Sequence, residues 1–195
     1  MALPLMLWTG LFWATGWSEP LESISHYYYT RVSPVMVGTI SVICLFLMIY
    51  KGKALADRIL TTTAAIGGFL VVLFPTDNLT SNLNGAPTYI SVTELPEVKA
   101  RIVLHFASAG LFILSLALLS CFVFTLSDEG KPRTPRKILR NMVYRICGSV
   151  MLVSILVIAF QDRLFGTGHA IGMTFRGEAI AIWAFGFAWF VKGET

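Results

Sequence analysis

The chain has 195 residues, of which 55% are hydrophobic and only 13% charged, with a mean hydropathy of +0.71 and a formal net charge of +4. A soluble domain carries roughly 25% charged residues, and half that charge does not cover the surface of a small globule in water. These figures argue against a soluble enzyme domain and, because disordered chains are poor in apolar residues, against disorder; they leave one membrane-embedded domain over residues 1–195, an all-α polytopic transmembrane helix bundle.

Six apolar runs follow in order. Residues 2–17 come first. No Lys or Arg precedes them and no small-x-small cleavage site follows, so they read as a span rather than a signal peptide, with five spans left otherwise. The second run, 34–50, opens on Ser33-Pro34, a helix start with Ser as cap and Pro in the first turn, and closes at Lys51-Gly52-Lys53. The third, 54–74, stops at Phe74-Pro75-Thr76-Asp77-Asn78. After a polar stretch over 75–99 comes the fourth, 101–126. A loop over 127–140 with two acids, two prolines and five basic residues leads to the fifth, 143–160, and the sixth is 173–191. Thr63/Gly67, Ala64/Gly68 and Ala184/Ala188 are small pairs four apart, which allow close helix approach.

Charge sets the expected orientation. One side holds ten Lys and Arg and four acids, a balance of +6; the other holds five Lys and Arg and seven acids, a balance of −2. Basic loops stay in the cytoplasm, so both termini are expected inside and the acidic loops outside, in a bacterial inner (plasma) membrane. The basic pI is then a topology signal, and nucleic acid is not expected as a partner. Cys44, Cys121 and Cys147 are odd in number, lie in apolar runs and form no CxxC, which argues against a disulfide or a thiol redox site.

All three histidines, His26, His105 and His169, fall on the acidic side, together with Asp77, Glu97 and Glu178. Ionisable groups inside a span face a partner, a cavity or a site. Glu178 is either the acid of a structural pair with Arg176, Arg101 or Arg163, or a catalytic group together with Ser25. His105, Ser108 and Ser115 fall within roughly 80° on one helix face at 100° per residue; such a stripe bonds neighbouring helices or lines a pocket. The run from Glu22 through Tyr27, Tyr28 and Tyr29 to Arg31 has aromatic rings suited to the headgroup zone. Glu22, Tyr27, Tyr28, Arg101, Ser108 and Arg176 are therefore the candidates to face a ligand or lipid. His26, His105 and His169 with Asp77 are chemically a zinc shell with one open position, although no HxxxH or HExxH spacing is present. Copper on His169 and Met173, or haem on His105, is the weaker alternative.

The chain resembles a group of small bacterial multi-pass membrane proteins of unsettled activity. The resemblance rests on Ser23-Ile-Ser-His-Tyr-Tyr-Tyr-Thr30, Gly67-Gly68 with Phe74-Pro75-Thr76, and Trp183-Ala184-Phe185-Gly186 with Trp189 and Val191-Lys192-Gly193-Glu194. More distantly it is similar to the membrane hydrolase superfamily of alkaline ceramidases and adiponectin receptors. That similarity implies zinc held by Ser25 or Ser23, Asp77, His26, His105 and His169, but the paired HxxxH of the last helix is missing and six helices are fewer than seven. Three functions are carried forward. One is a protein binding a lipid or hydrophobic ligand, or serving as a partner subunit to another membrane protein or to its own copy. Another is a metal-dependent hydrolase acting on a lipid of the outer leaflet. The third is a small transporter or channel.

Overall fold

Pro34 in the first turn of the second helix and Pro75 after the third act where the sequence places them, but Ser33 is not the cap expected of it: Val32 holds that position, with no side-chain capping bond, and Ser33 is already the first helical residue. In the computed structural model, which describes residues 2–50, 52, 54–79, 89–126, 134–166 and 172–193, α1 spans Leu3–Thr15 and α2 Ser33–Ile49, with a short 3-10 helix over Ile24–Tyr29 between them. Then come α3 (Leu55–Leu73), α4 (Lys99–Leu118), α5 (Pro135–Phe165) and α6 (Met173–Gly193). The described residues are all helix and loop, apart from one isolated antiparallel bridge between Thr30 and Ser91.

Three helical segments are long and apolar enough to cross a membrane: Leu55–Leu73, Lys99–Val123 and Pro135–Phe165. The helices α1 and α2 are apolar but have only 13 and 17 residues. At 1.5 Å per residue α1 is about 20 Å long, against a hydrocarbon layer of about 30 Å. With 21 residues α6 has the length, but Arg176 and Glu178 near its start dilute its apolar character.

Two boundaries differ from expectation. The fifth helix begins at Pro135 rather than near residue 143, because Thr134 caps it, its hydroxyl accepting from the Lys137 N–H at 3.3 Å, and Pro135 takes the first position. Its first two turns are basic and amphipathic, which composition alone assigned to the loop. The fourth helix relaxes into a π-helical turn over Leu119–Val123, closed by the Phe124 N–H on the Leu119 carbonyl. Such turns insert one extra residue per turn and shift the side-chain register beyond them.

Most of the packing is between α3 and α4, between α5 and α6 and between α2 and α3. Glycines set the spacing. A Cβ on Gly67 would lie 3.1 Å from the Ser108 carbonyl and the Phe112 nitrogen, and one on Gly68 would meet Cys44 Sγ. The side chains of Ser108 and Ser115 are buried in the bundle. The polar stripe of α4 therefore lies inside the bundle, and Ser108 does not face lipid. Hydrogen bonds between neighbouring helices are the ordinary use of such residues.

Candidate functional site

The chain between α1 and α2 folds back over one end of the bundle, where α1 and α3 finish and α2, α4 and α6 begin. Its tyrosines divide by position. Tyr27 and Tyr29 are fully buried, and Tyr28 is half-buried. Tyr27 stacks at a tilt on Phe175 of α6, ring centroids 5.7 Å apart, and its hydroxyl accepts from the Leu21 N–H. Burial pushes its phenol up to about 12. The Tyr29 hydroxyl donates to the Thr76 carbonyl at 2.5 Å, tying the 3-10 helix to the end of α3. Tyr27 is thus a core residue and not one that faces lipid: a 3-10 turn repeats every three residues, so adjacent tyrosines cannot all point outward.

Glu178 also serves this tether. Its Oε2 accepts from the Ile24 N–H at 2.6 Å, and the Phe175 N–H donates to the Glu22 carbonyl at 2.8 Å. The carboxylate satisfies an N–H in the first turn of the 3-10 helix, a structural use for an acid inside α6. Replacing it as Glu178→Leu leaves that N–H buried and unpaired, at a cost of about 2 kcal/mol. Chemical unfolding in detergent should register this loss, and an unchanged midpoint would remove the tether from the account. Arg176, on the neighbouring face, is exposed, and Ser25 is buried.

Around the tether lies a polar core. Ser23 Oγ is 2.8 Å from His26 Nδ1. His26 Nε2 is 3.7 Å from Asp77 Oδ1, and the Thr76 hydroxyl donates to the same Asp77 oxygen at 2.6 Å. Burial lowers the His26 imidazole to about 4; Asp77 pulls it back up in part, and His105 pushes it further down. His105 itself sits nearly two turns inside α4, its Nδ1 2.8 Å from the Phe74 carbonyl. That carbonyl is among the last of α3, where helical partners run out and Pro75 offers no N–H. Donation from Nδ1 leaves Nε2 of His105 as the acceptor. Arg101, one turn earlier on α4, has its Nε and Nη2 buried with no hydrogen-bond partner among the described residues.

Two of the three predicted histidines and Asp77 therefore gather at one end of the bundle. His169 lies outside the described residues, and with it the full three-histidine shell and the His169–Met173 copper pair. Among the described residues no group of three His, Cys, Asp or Glu is arranged to hold a metal ion.

Beside the polar core is a residue that the sequence reading passed over as a candidate. Arg31, exposed just before α2, borders two open cavities. The larger, of about 680 Å³, runs between the start of α2 and the end of α3. Arg31, Thr30 and Ser33 lie at its polar end, and Val37, Val72 and Leu73 along its walls, with Tyr28 beside them. The smaller, of about 560 Å³, lies between Arg31, Tyr89 and the end of α1 at Trp13. The signal in the sequence was a lone cation closing an aromatic run at a helix start.

No protein-family model matches the chain, and neither a curated protein nor a solved structure matches it. Function is therefore read from the chemistry of the site, since a helical bundle by itself implies none.

Proposed function

We propose that the protein is a multi-pass inner-membrane protein that binds an amphiphile, a lipid with an anionic headgroup, in the cleft between α2 and α3. The observation that carries this reading is the cleft itself. Its volume of about 680 Å³ lies in the 300–1,000 Å³ range of ligand sites. A cation and hydroxyls at one end and aliphatic walls below match the two halves of an amphiphile. The charge balance of the loops supports six spans with the basic loops in the cytoplasm, and on that reading this end faces outward.

The test uses the purified full-length chain in neutral detergent, offered an anionic and a zwitterionic phospholipid with the same acyl chains. Native mass spectrometry should find the anionic lipid retained, with retention weakened about tenfold in Arg31→Gln, equivalent to 1.4 kcal/mol. It should also weaken in Val72→Trp, which fills the wall. Equal retention of both lipids, unchanged in both variants, defeats the reading.

The alternative, a metal-dependent hydrolase of outer-leaflet lipids, draws support from the His26–Asp77 approach. Donors 3.7 Å apart both reach one ion with bonds of about 2 Å. About one zinc per chain in elemental analysis, lost in His26→Ala, is its requirement.

A further inference from the structure

We propose that the lipid held at Arg31 carries a polyhydroxylated six-membered ring, a cyclitol or a sugar, on the far side of its phosphate, and that this ring lies in the cavity between the end of α1 and Tyr89. The proposal rests on the lipid reading of the α2–α3 cleft. Arg31 is the one described residue that lines both cavities, and among the described residues it forms no ion pair. A phosphodiester has the matching layout. Its charge sits in the middle, with one ester arm leading to the glycerol and acyl chains and the other to the headgroup alcohol. With the phosphate on the guanidinium and the chains against Val37, Val72 and Leu73, the second arm leads into the smaller cavity. Its volume of about 560 Å³ is itself in the range of ligand sites.

The walls of this cavity suit a neutral polyol. Trp13, Ala14 and Thr15 end α1, and Gly16 caps it, its N–H donating to the Phe12 carbonyl at 2.7 Å. The carbonyls of Trp13, Ala14 and Thr15 come after that bond, beyond the helical ladder. They form the negative end of the helix dipole, which accepts from hydroxyls and repels a second anion. The Thr15 hydroxyl is already engaged, donating to the Leu11 carbonyl at 2.7 Å and accepting from the Trp17 N–H at 3.3 Å. Gly16 takes a left-handed φ of 77°, which glycine adopts without strain, and a Cβ there would meet nothing within 4 Å, so the space beside the helix end is open.

Two aromatic side chains complete the cavity, Trp13 at 85% and Tyr89 at 57% exposure. A cyclitol or hexose has C–H faces that lie on such rings and a rim of hydroxyls for the polar groups around them. Bare aromatic faces also draw cations, but Arg31 on the same wall opposes a cationic headgroup. Aromatic residues that merely anchor a protein at the headgroup level do not discriminate between lipids of equal charge, whereas a ring subsite does.

The purified full-length chain in neutral detergent is offered phosphatidylglycerol, phosphatidylinositol, and phosphatidylglycerol with a glucose on its headgroup, all with the same acyl chains and the same single negative charge. The last two distinguish a cyclitol from a sugar, and phosphatidylcholine is the reference. In native mass spectrometry at least one ring-bearing lipid should be retained about tenfold more tightly than phosphatidylglycerol, the size of one good stacking contact. That preference should vanish in Trp13→Ala and in Tyr89→Ala and persist in Trp13→Phe, which keeps a ring. Equal retention of all three anionic lipids, a preference that survives both alanine variants, or tightest retention of phosphatidylcholine overturns the ring subsite. If a variant fails to fold, the preference of the wild type decides alone. Anionic lipids retained above phosphatidylcholine but equally with one another leave the cleft reading standing without the subsite; no anionic lipid retained overturns both.

Discussion

Acidifying the protein from pH 7 to pH 4 lowers its unfolding free energy through His26 by about 3 kcal/mol at most. In the unfolded chain this imidazole takes up its proton near the ordinary 6.5; in the folded protein burial holds it down to about 4, against a partial upward pull from Asp77. Between those values the unfolded state binds more protons, so stability rises with pH. The contribution is complete above 6.5 and is lost progressively as the pH falls towards 4. Asp77 and His105 face the same ring, and other groups titrate in this window, so the readout is a difference. Denaturant unfolding of wild type and His26→Gln in mixed micelles, at half-unit steps of pH, should give curves that converge on the acid side. Curves that stay parallel from pH 7 to pH 4 would show that His26 is as easily protonated folded as unfolded.

Gly148→Leu is expected to be the most damaging single substitution in the bundle, at about 3 kcal/mol. A Cβ there would sit 2.2 Å from Cys121 Sγ, 2.9 Å from the Ala117 carbonyl and 3.1 Å from the Cys121 nitrogen. Two of those neighbours are backbone and cannot turn aside, so α5 must move off α4 at the π-helical turn. Gly110→Leu is the control, since a Cβ at Gly110 meets nothing within 4 Å and a leucine helps a helix that a glycine weakens. Thermal unfolding in detergent should lower the midpoint of the first by roughly 6–12 degrees and leave the second at or above wild type. Comparable losses in both would put the damage in helix propensity rather than in the α4–α5 contact.

The helical character and most helix ends were legible in the sequence because they are local. Ser33-Pro34 starts α2, and Pro75 stops α3, for reasons contained in a few neighbouring residues. The start of α5 was legible too, in Thr134-Pro135, but the five basic residues around it read as loop. The site was legible only as a level in the membrane: His26, Asp77 and His105 were each assigned to the same end, and the structure draws them together there. The pairing of Ser23 with His26 depends on a 3-10 turn that apolar periodicity does not reveal in six residues, and the meeting with Asp77 joins positions 51 residues apart. Tyr27 and Glu178 went the other way. Each is a residue type that suggests a ligand, and each is occupied in holding the 3-10 helix to α6. Arg31 gained its interest only once α1, α2 and α3 were seen to leave space on both sides of it.

The shortness of α1 bears on the lipid around it. A bilayer meets about 20 Å of apolar helix there and about 30 Å or more beside α4 with its π turn, so hydrophobic mismatch is uneven around the circumference. Thinning next to α1 lowers the headgroup plane on that side alone, towards Arg31 and the two cavities it borders. On the proposed lipid-binding reading, headgroups in that dimple would stand close to the guanidinium, and the route into the cleft would be lateral, from within the leaflet.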